Sequence, residues 1–130
     1  MRHGVAGQDA GEQGEHLVEP LLATVGAKLA DEPSELLAML RSMLSRPEAA
    51  HEVRAFMTRP QRQAADAIDG DDAELRAGLV GALTIGTVVA RYLLRLDGVR
   101  DAPPERIVEL LRPCVQALVD GEPDETGDGR

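Results

Sequence analysis

The amino-acid sequence predicts an all-α fold, and three observations carry that prediction. Ala, Leu, Glu and Arg, which favour helices, dominate the composition. Apolar residues recur every three or four positions along most of the chain, which is the spacing of one helix face. No segment rich in Val, Thr and Tyr alternates apolar and polar residues like a half-buried strand. Because aromatic residues are nearly absent, the core must be built from Leu, Val, Ile, Ala and Met.

Two helices are predicted in the first part of the chain. The first runs from about Glu15 to Ala30, with Pro20 in its first turns, where proline is tolerated. The second opens at Pro33 and Ser34. Their apolar stripes are Leu17, Val18, Leu21, Leu22, Val25 and Leu29 in the first, and Leu36, Leu37, Met39, Leu40, Met43 and Leu44 in the second.

The third predicted helix opens at Pro47, because proline suits the first helical position. Pro60 lies inside this helix and should kink or split it, since proline removes one backbone hydrogen bond. The segment DGDD at 69–72 is predicted to be a turn. The apolar stripe of the helix consists of Val53, Phe56, Met57, Ala64 and Ile68.

The fourth predicted helix carries no charged residue from Ala77 to Ala90 and extends from about Asp72 to Asp97. Asp71 and Glu74 resemble a capping box at its start, and Gly98 suits a left-handed cap at its end. The apolar run is shorter than the roughly 20 residues of a membrane span. A helix that is apolar nearly all round is enclosed by its own core or by a partner chain. Close approach of another helix would offset the helix-destabilising effect of its glycines, which are Gly78, Gly81 and Gly86.

The fifth predicted helix begins at Pro103, Pro104 and Glu105, and Pro113 should kink it. Its apolar residues recur at helical spacing to the end of the predicted domain. They are Ile107, Val108, Leu110, Leu111, Val115, Leu118 and Val119.

The charge distribution limits the function classes. The formal net charge is −9, and an acidic chain repels nucleic-acid phosphates. We expect residues 1–14 and the acidic tail 120–130 to be disordered, because both are rich in glycine and polar residues. The N-terminus lacks the apolar segment of a signal peptide, so a cytoplasmic location is expected.

The sequence contains no catalytic motif that we can identify, and we expect no enzyme activity, metal or cofactor. HEVRA at 51–55 begins like a zinc-binding helix but lacks the second histidine. The serines have no glycine elbow, and no glycine-rich loop precedes a helix in the phosphate-binding pattern. Cys114 alone excludes a disulfide framework, and we expect it to be a small buried apolar residue.

Two segments carry a family resemblance. RSMLSRPEAA at 41–50 and DDAELRAGLVGALTIGTVVARYLLRLDGVRDAPPERIVELLRPCVQAL at 71–118 resemble the C-terminal domain of TetR-family transcriptional regulators of the actinobacterial type. The resemblance covers roughly residues 34 to 119, and its second half is the more specific. The residues that match are Pro47 to Ala50, Leu75 to Ala77, Leu79 to Ala82, Gly86, Ala90 to Tyr92, Leu94 to Leu96, Glu109 to Leu111, Pro113, Gln116 and Leu118.

This resemblance implies a five-helix bundle over residues 15–119 that holds a small apolar ligand and forms a homodimer. The last two helices of each chain would form a dimeric four-helix bundle. Candidate residues for the ligand pocket are Leu36, Leu40, Met43, Phe56, Met57, Leu83, Thr84 and Thr87. Candidates for the dimer interface are Leu79, Leu83, Gly86, Ala90, Leu94, Ile107, Leu111, Val115 and Leu118.

The resemblance also implies what the chain needs in order to act on DNA. Regulators of this family begin with a helix-turn-helix domain, and the residues before Glu15 are too few to form one. DNA binding is therefore expected only through a helix-turn-helix domain that this chain does not contain. The leading hypothesis is a module for ligand sensing and homodimerisation, and the alternative is a helical dimerisation protein with no small-molecule site. A cavity larger than a packing defect would favour the first.

Overall fold

The computed structural model describes the backbone of residues 5–120 and the side chains of residues 17–120. Within these ranges the chain is helical and has no strand, which confirms the all-α prediction. The α-helices are α1 (Val5–Ala30), α2 (Ser34–Ser45), α3 (Ala50–Ala67), α4 (Ala73–Val88) and α5 (Pro104–Asp120). A 3₁₀ turn at Pro47–Ala49 leads into α3, and a π-helical segment, Val89–Leu93, continues α4.

Helix α1 begins at Val5, well before the start at Glu15 that the apolar stripe predicts. The first turns of the helix carry Gly, Gln, Asp and Glu rather than a recurring apolar residue, so periodicity gives no signal there. Residues 5–14 and Asp120, which were predicted to be disordered, are helical. The rest of the predicted disorder, in residues 1–4 and 121–130, lies outside the described residues.

The two internal prolines do not divide their helices. Helix α3 is continuous from Ala50 to Ala67 and contains Pro60, while α5 contains Pro113. Both prolines are on exposed faces of their helices. Each removes one backbone donor, and the neighbouring turns continue the helix. Pro60 therefore does not split α3, which was one of the two effects predicted for this proline.

Both ends of the apolar helix differ from the prediction. Asp72 is the residue before α4, with a left-handed φ of 67° and no side-chain capping bond, so the predicted capping box of Asp71 and Glu74 does not form. The helix ends at Leu93 rather than near Asp97. Arg95 adopts a φ of 53°, and the N–H of Leu96 donates to the carbonyl of Ala90 at 2.9 Å. Arg95 thus caps the helix in the left-handed conformation, and Gly98, which was predicted to do so, has a left-handed φ of 87° in the loop that follows.

One core cluster lies between α1 and α5. Contacts between the two helices pair the start of the described part of α1 with the end of α5, which makes them antiparallel. Four side chains form the buried cluster of this helix pair, and Leu17, Leu21, Leu83, Val108 and Leu111 pack against it. The four are Val18, Leu22, Val115 and Val119.

A second cluster joins α2, α3 and the end of α4. Leu36, Leu37, Leu40, Val53 and Val88 are buried in it, and several methionines pack around them. A third, smaller cluster joins α3 to the start of α4 through the buried residues Ala64, Ile68 and Ala77.

Arg91 and Tyr92 fix the end of the apolar helix to the rest of the bundle. The Tyr92 hydroxyl donates to the carbonyl of Leu29 at 2.8 Å, which joins the ends of α1 and of the π-helical segment. Arg91 donates to the carbonyls of Val99 at 2.8 Å and Ala102 at 2.9 Å, which closes the loop before α5. Both side chains therefore stabilise the fold through backbone carbonyls that have no partner in a helix.

Candidate functional site

A cavity of about 140 Å³ lies between α1, α3 and α4, with one residue contributed by α2. Most of its lining is apolar, and its polar residues are two threonines, a glutamine and a lysine. The residues that line it are Leu21, Thr24, Lys28, Leu36, Phe56, Met57, Pro60, Gln61, Ala64, Ala77, Gly78, Val80, Gly81, Thr84 and Ile85.

Small residues on α4 make room for this cavity. A Cβ atom at Gly81 would lie 2.9 Å from Cε of Met57, and one at Gly78 would lie 3.1 Å from Nε2 of Gln61. Long side chains of α3 therefore extend across the glycine surface of α4. The close approach that the sequence predicts for Gly78 and Gly81 is thus supplied by α3 of the same chain.

The polar groups of the cavity differ in what they can still bind. The hydroxyls of Thr24 and Thr84 each donate to a carbonyl of their own helix at 3.0 Å, so each retains acceptor capacity. Gln61 uses one amide hydrogen on the carbonyl of Glu74 at 3.3 Å. Lys28 is half-buried and belongs to none of the ion pairs among the described residues.

Only some of the predicted pocket residues line the cavity. Leu36, Phe56, Met57 and Thr84 do so, each from a helix that faces it. The other predicted residues have different positions. Leu40 and Met43 pack in the α2–α3–α4 cluster, Leu83 packs against the α1–α5 core, and the Thr87 hydroxyl donates to the carbonyl of Leu83 at 2.7 Å.

Helix α1 contributes three residues to the cavity that were not predicted from the sequence. Leu21, Thr24 and Lys28 are spaced three and four residues apart, so they share one face of the helix. This spacing is visible in the sequence. It does not predict a cavity, because a threonine and a lysine next to an apolar stripe are typical of an exposed face.

A second feature is an apolar surface on α4 and α5, which we call the α4–α5 face. On α4 it consists of Leu75, Leu79, Ala82 and Gly86, all exposed and spaced as one helix face. On α5 it consists of Leu110, Cys114 and Ala117, also exposed. Leu75 and Leu110 are each 60% exposed, which is unusual for leucines in a regular helix facing its own core.

The predicted dimer residues divide into three groups. Leu79, Gly86 and Leu94 are exposed, although Leu94 follows the last helical turn. Leu83, Ala90, Ile107, Leu111 and Leu118 are half-buried. Val115 is 1% exposed in the α1–α5 core, so it cannot contact a partner without unfolding that core.

Cys114 lies one position from Val115 and is exposed, which corrects the expectation of a buried residue. On the α4–α5 face, the exposed residues of α5 are therefore Leu110, Cys114 and Ala117. Each lies one position before a residue of the predicted set, Leu111, Val115 and Leu118. The shift arises because α1 covers the side of α5 that carries Val115 and Val119.

An open groove of about 710 Å³ lies between α1 and the first turns of α5. Its charged residues largely neutralise one another. Arg112 pairs with Glu19 across the two helices, and Arg106 pairs with Glu109 at 2.9 Å within α5. Among the described side chains, no group of His, Cys, Asp and Glu could hold a metal ion.

The helical stretch Ala73–Leu93 is long and apolar enough to cross a membrane, with a mean hydropathy of 1.4. Length and composition are the only grounds for that possibility. Only 17% of its most apolar window is buried within the chain.

The chain was compared with known protein families, curated proteins and solved structures. Residues 12–119 match the family described as "Tetracyclin repressor-like, C-terminal domain". No curated protein and no solved structure matches the chain.

Proposed function

The chain belongs to the family of tetracyclin repressor-like C-terminal domains, and from this premise we propose that it is the ligand-sensing and homodimerisation domain of a TetR-like regulator. Domains of this family typically bind ligands and dimerise within regulators, and the family is in general not enzymatic. Such regulators are soluble cytoplasmic proteins, and we extend that location to this chain.

The observation that carries the proposal is the uncovered α4–α5 face. Exposed leucines at helical spacing on two helices of one bundle are typical of an interaction surface. Covering apolar area is favourable by roughly 25 cal/mol per Å². The same face on a second copy, related by a twofold axis, would complete a four-helix bundle with α4 and α5 from each chain.

The small residues of this face support a copy of the chain as its partner. A Cβ atom at Gly86 would meet no atom within 4 Å, so the space above it is open in the single chain. Ala82 lies one turn earlier on the same exposed face. Two α4 helices can approach closely at such positions because there is little side chain between them.

Helix α4 connects the proposed dimer surface to the cavity. Ala77, Gly81 and Thr84 line the cavity on one side of the helix, and Leu79 and Gly86 lie on the exposed side. A ligand that moves α4 would change the angle between the two chains. In a complete regulator this would shift the population of dimer geometries that carry the helix-turn-helix domains.

One observation favours the alternative of a dimerisation protein without a small-molecule site. The volume of about 140 Å³ is below the 300–1,000 Å³ that is common for ligand pockets. Dimerisation and ligand binding therefore need separate tests.

The test of dimerisation is the molar mass of the chain by light scattering over a dilution series. We expect a dimer that persists at low micromolar concentration. Gly86→Leu should produce monomers, because the new side chain separates the two faces. The matched control is Ala38→Leu, which adds a similar side chain to an exposed position on α2. A monomer at every concentration would refute the dimerisation proposal.

The single cysteine gives a second readout with the natural sequence. Cys114 lies exposed on the α4–α5 face, so the two copies of this thiol should lie within reach of a short bis-maleimide in the proposed dimer. Efficient cross-linking that disappears in Gly86→Leu would support the face, whereas cross-linking that is equal in both proteins would count against it.

A further inference from the structure

We propose that the cavity between α1, α3 and α4 takes a small organic monoanion, a compact carboxylate with an apolar body, whose charged group binds at Lys28. This inference deepens the proposed sensing function and rests on it. It names the chemical class of the ligand.

Lys28 is chemically unusual in this chain. All other basic side chains are arginines, so Lys28 is the single lysine among the 14 basic residues. It is also the one charged residue in the lining of the cavity. A lysine ammonium is a compact point charge with three donors, which suits one anionic group at the edge of an apolar site.

The surroundings of Lys28 leave its charge available to a ligand. Acidic residues close in sequence, Asp31 and Glu32, follow the end of α1 and are exposed, and neither pairs with the lysine. Glu19, on the same helix, pairs with Arg112 instead. The lysine is half-buried, so an anion that enters the cavity meets less solvent screening than at the surface.

The other polar groups define which functional group fits. Thr24 and Thr84 already donate their hydroxyl hydrogens to backbone carbonyls, so they offer acceptors and would not bind a carboxylate. Gln61 retains one amide hydrogen beyond its bond to Glu74. One ammonium and one amide hydrogen provide for a single anionic group, whereas a dianion would leave a charge unpaired.

The volume sets the size of the apolar body. A cavity of about 150 Å³ that is lined by Leu, Ile and Phe is large enough for benzene. The volume here is about 140 Å³, with Leu36, Phe56 and Ile85 in the lining. The ligand class is therefore a one-ring aromatic acid or an aliphatic acid of similar bulk.

The test uses benzoate as the probe and the neutral benzamide as its isostere. Binding to the 130-residue chain would be followed by amide chemical shifts and by calorimetry. We expect shifts at Gly78, Gly81 and Thr84, and a preference for benzoate over benzamide of about tenfold, as for a hydrogen bond to a charged group.

Variants of the lysine make the test specific. Lys28→Gln should abolish the preference for benzoate, while Lys28→Arg should retain most of it. Arg62→Gln is the matched control, because it removes an exposed positive charge from α3 that does not line the cavity. Helicity by circular dichroism and molar mass should be unchanged in all three variants.

The outcomes separate this inference from the proposed function. Equal binding of benzoate and benzamide at the cavity residues, insensitive to Lys28→Gln, would overturn the monoanion while leaving ligand sensing in place. Weakening by Arg62→Gln equal to that by Lys28→Gln would assign the preference to general charge and would also overturn it. If benzoate, benzamide and the apolar probe toluene all fail to shift the cavity residues, both the inference and the sensing function fail.

Discussion

The bundle contains two helix pairs that are packed in opposite ways. Between α1 and α5, branched and large aliphatic side chains interlock, and Leu22 and Val115 are each 1% exposed. Between α3 and the start of α4, the buried cluster consists of Ala64, Ile68 and Ala77, and a cavity remains beside it. The first pair holds the chain together, and the second leaves room for a ligand.

Side-chain size explains this difference. Beside the cavity, α4 presents Ala77, Gly78 and Gly81 to α3, so the helices come close there without filling the space between them. The α3 side chains that cross it, Met57 and Gln61, are long and flexible. Unbranched side chains of this kind adapt to an occupant, whereas a core of interlocked valines and leucines resists any change in volume.

The largest expected effect separates the two pairs directly. Leu22→Ala should lower the free energy of unfolding by roughly 3 kcal/mol, because it opens a cavity in a solid core. Phe56→Ala, at the partly exposed edge of the existing cavity, should cost only about 1 kcal/mol. Urea denaturation at one fixed protein concentration would measure both values. Similar losses for the two variants would mean that the α3–α4 pair is as closely packed as the α1–α5 pair.

A smaller loss of stability is expected at the hydrogen bond that joins the end of α1 to the π-helical segment after α4. Tyr92→Phe removes the hydroxyl that donates to Leu29 and should cost about 1 kcal/mol, since a carbonyl at the end of α1 loses its partner. The control is Thr58→Val, which removes a hydroxyl bonded to a carbonyl of its own exposed helix turn. The two variants would be compared by urea denaturation. A larger loss for Thr58→Val would contradict the role of Tyr92.

Two glycine substitutions should distinguish the exposed side of α4, which carries Gly86, from the side that lines the cavity, which carries Gly81. Gly86→Ala should stabilise the helix by up to about 1 kcal/mol and weaken the dimer, since the added methyl group lies on the α4–α5 face. Gly81→Ala should gain less stability, because the methyl group must displace the end of Met57, and it should reduce benzoate binding. Denaturation, dilution and calorimetry on both proteins would measure these effects. An unchanged dimer in Gly86→Ala, or unchanged benzoate binding in Gly81→Ala, would contradict this assignment of the two sides.

The smallest effect is expected in the open groove. Arg112→Gln removes the pair with Glu19 and should change the free energy of unfolding by less than about 0.5 kcal/mol, because the pair is partly exposed. High salt should remove even this difference. A loss comparable to that of Leu22→Ala would mean that the ion pair, rather than the apolar cluster, holds α1 against α5.

The helices could be predicted from the sequence because their apolar residues repeat at a constant spacing. The start of α1 could not, since its first turns have no such repeat. Spacing also identifies which residues share a face but not which element covers it. Val115 was therefore assigned to the dimer, although α1 covers it, and Cys114 is exposed in its place.

The same reasoning accounts for the candidate site. Leu36, Phe56, Met57 and Thr84 could be predicted because they lie on apolar helices that must meet inside a bundle. Lys28 could not, because a charged residue on an amphipathic helix is usually solvated. Its position in the cavity depends on how α1 is rotated against α3 and α4, which is a property of tertiary packing.

The π-helical segment Val89–Leu93 acts as a one-residue insertion within the apolar helix. The N–H of Leu94 bonds to the carbonyl of Val89, five residues earlier, instead of four. Each residue of an α-helix advances the side chains by about 100°, so the extra residue offsets the direction of everything after it. The spacing of Leu79, Gly86 and Leu94 therefore does not form one uninterrupted α-helical pattern, because the π-helical segment lies between Gly86 and Leu94.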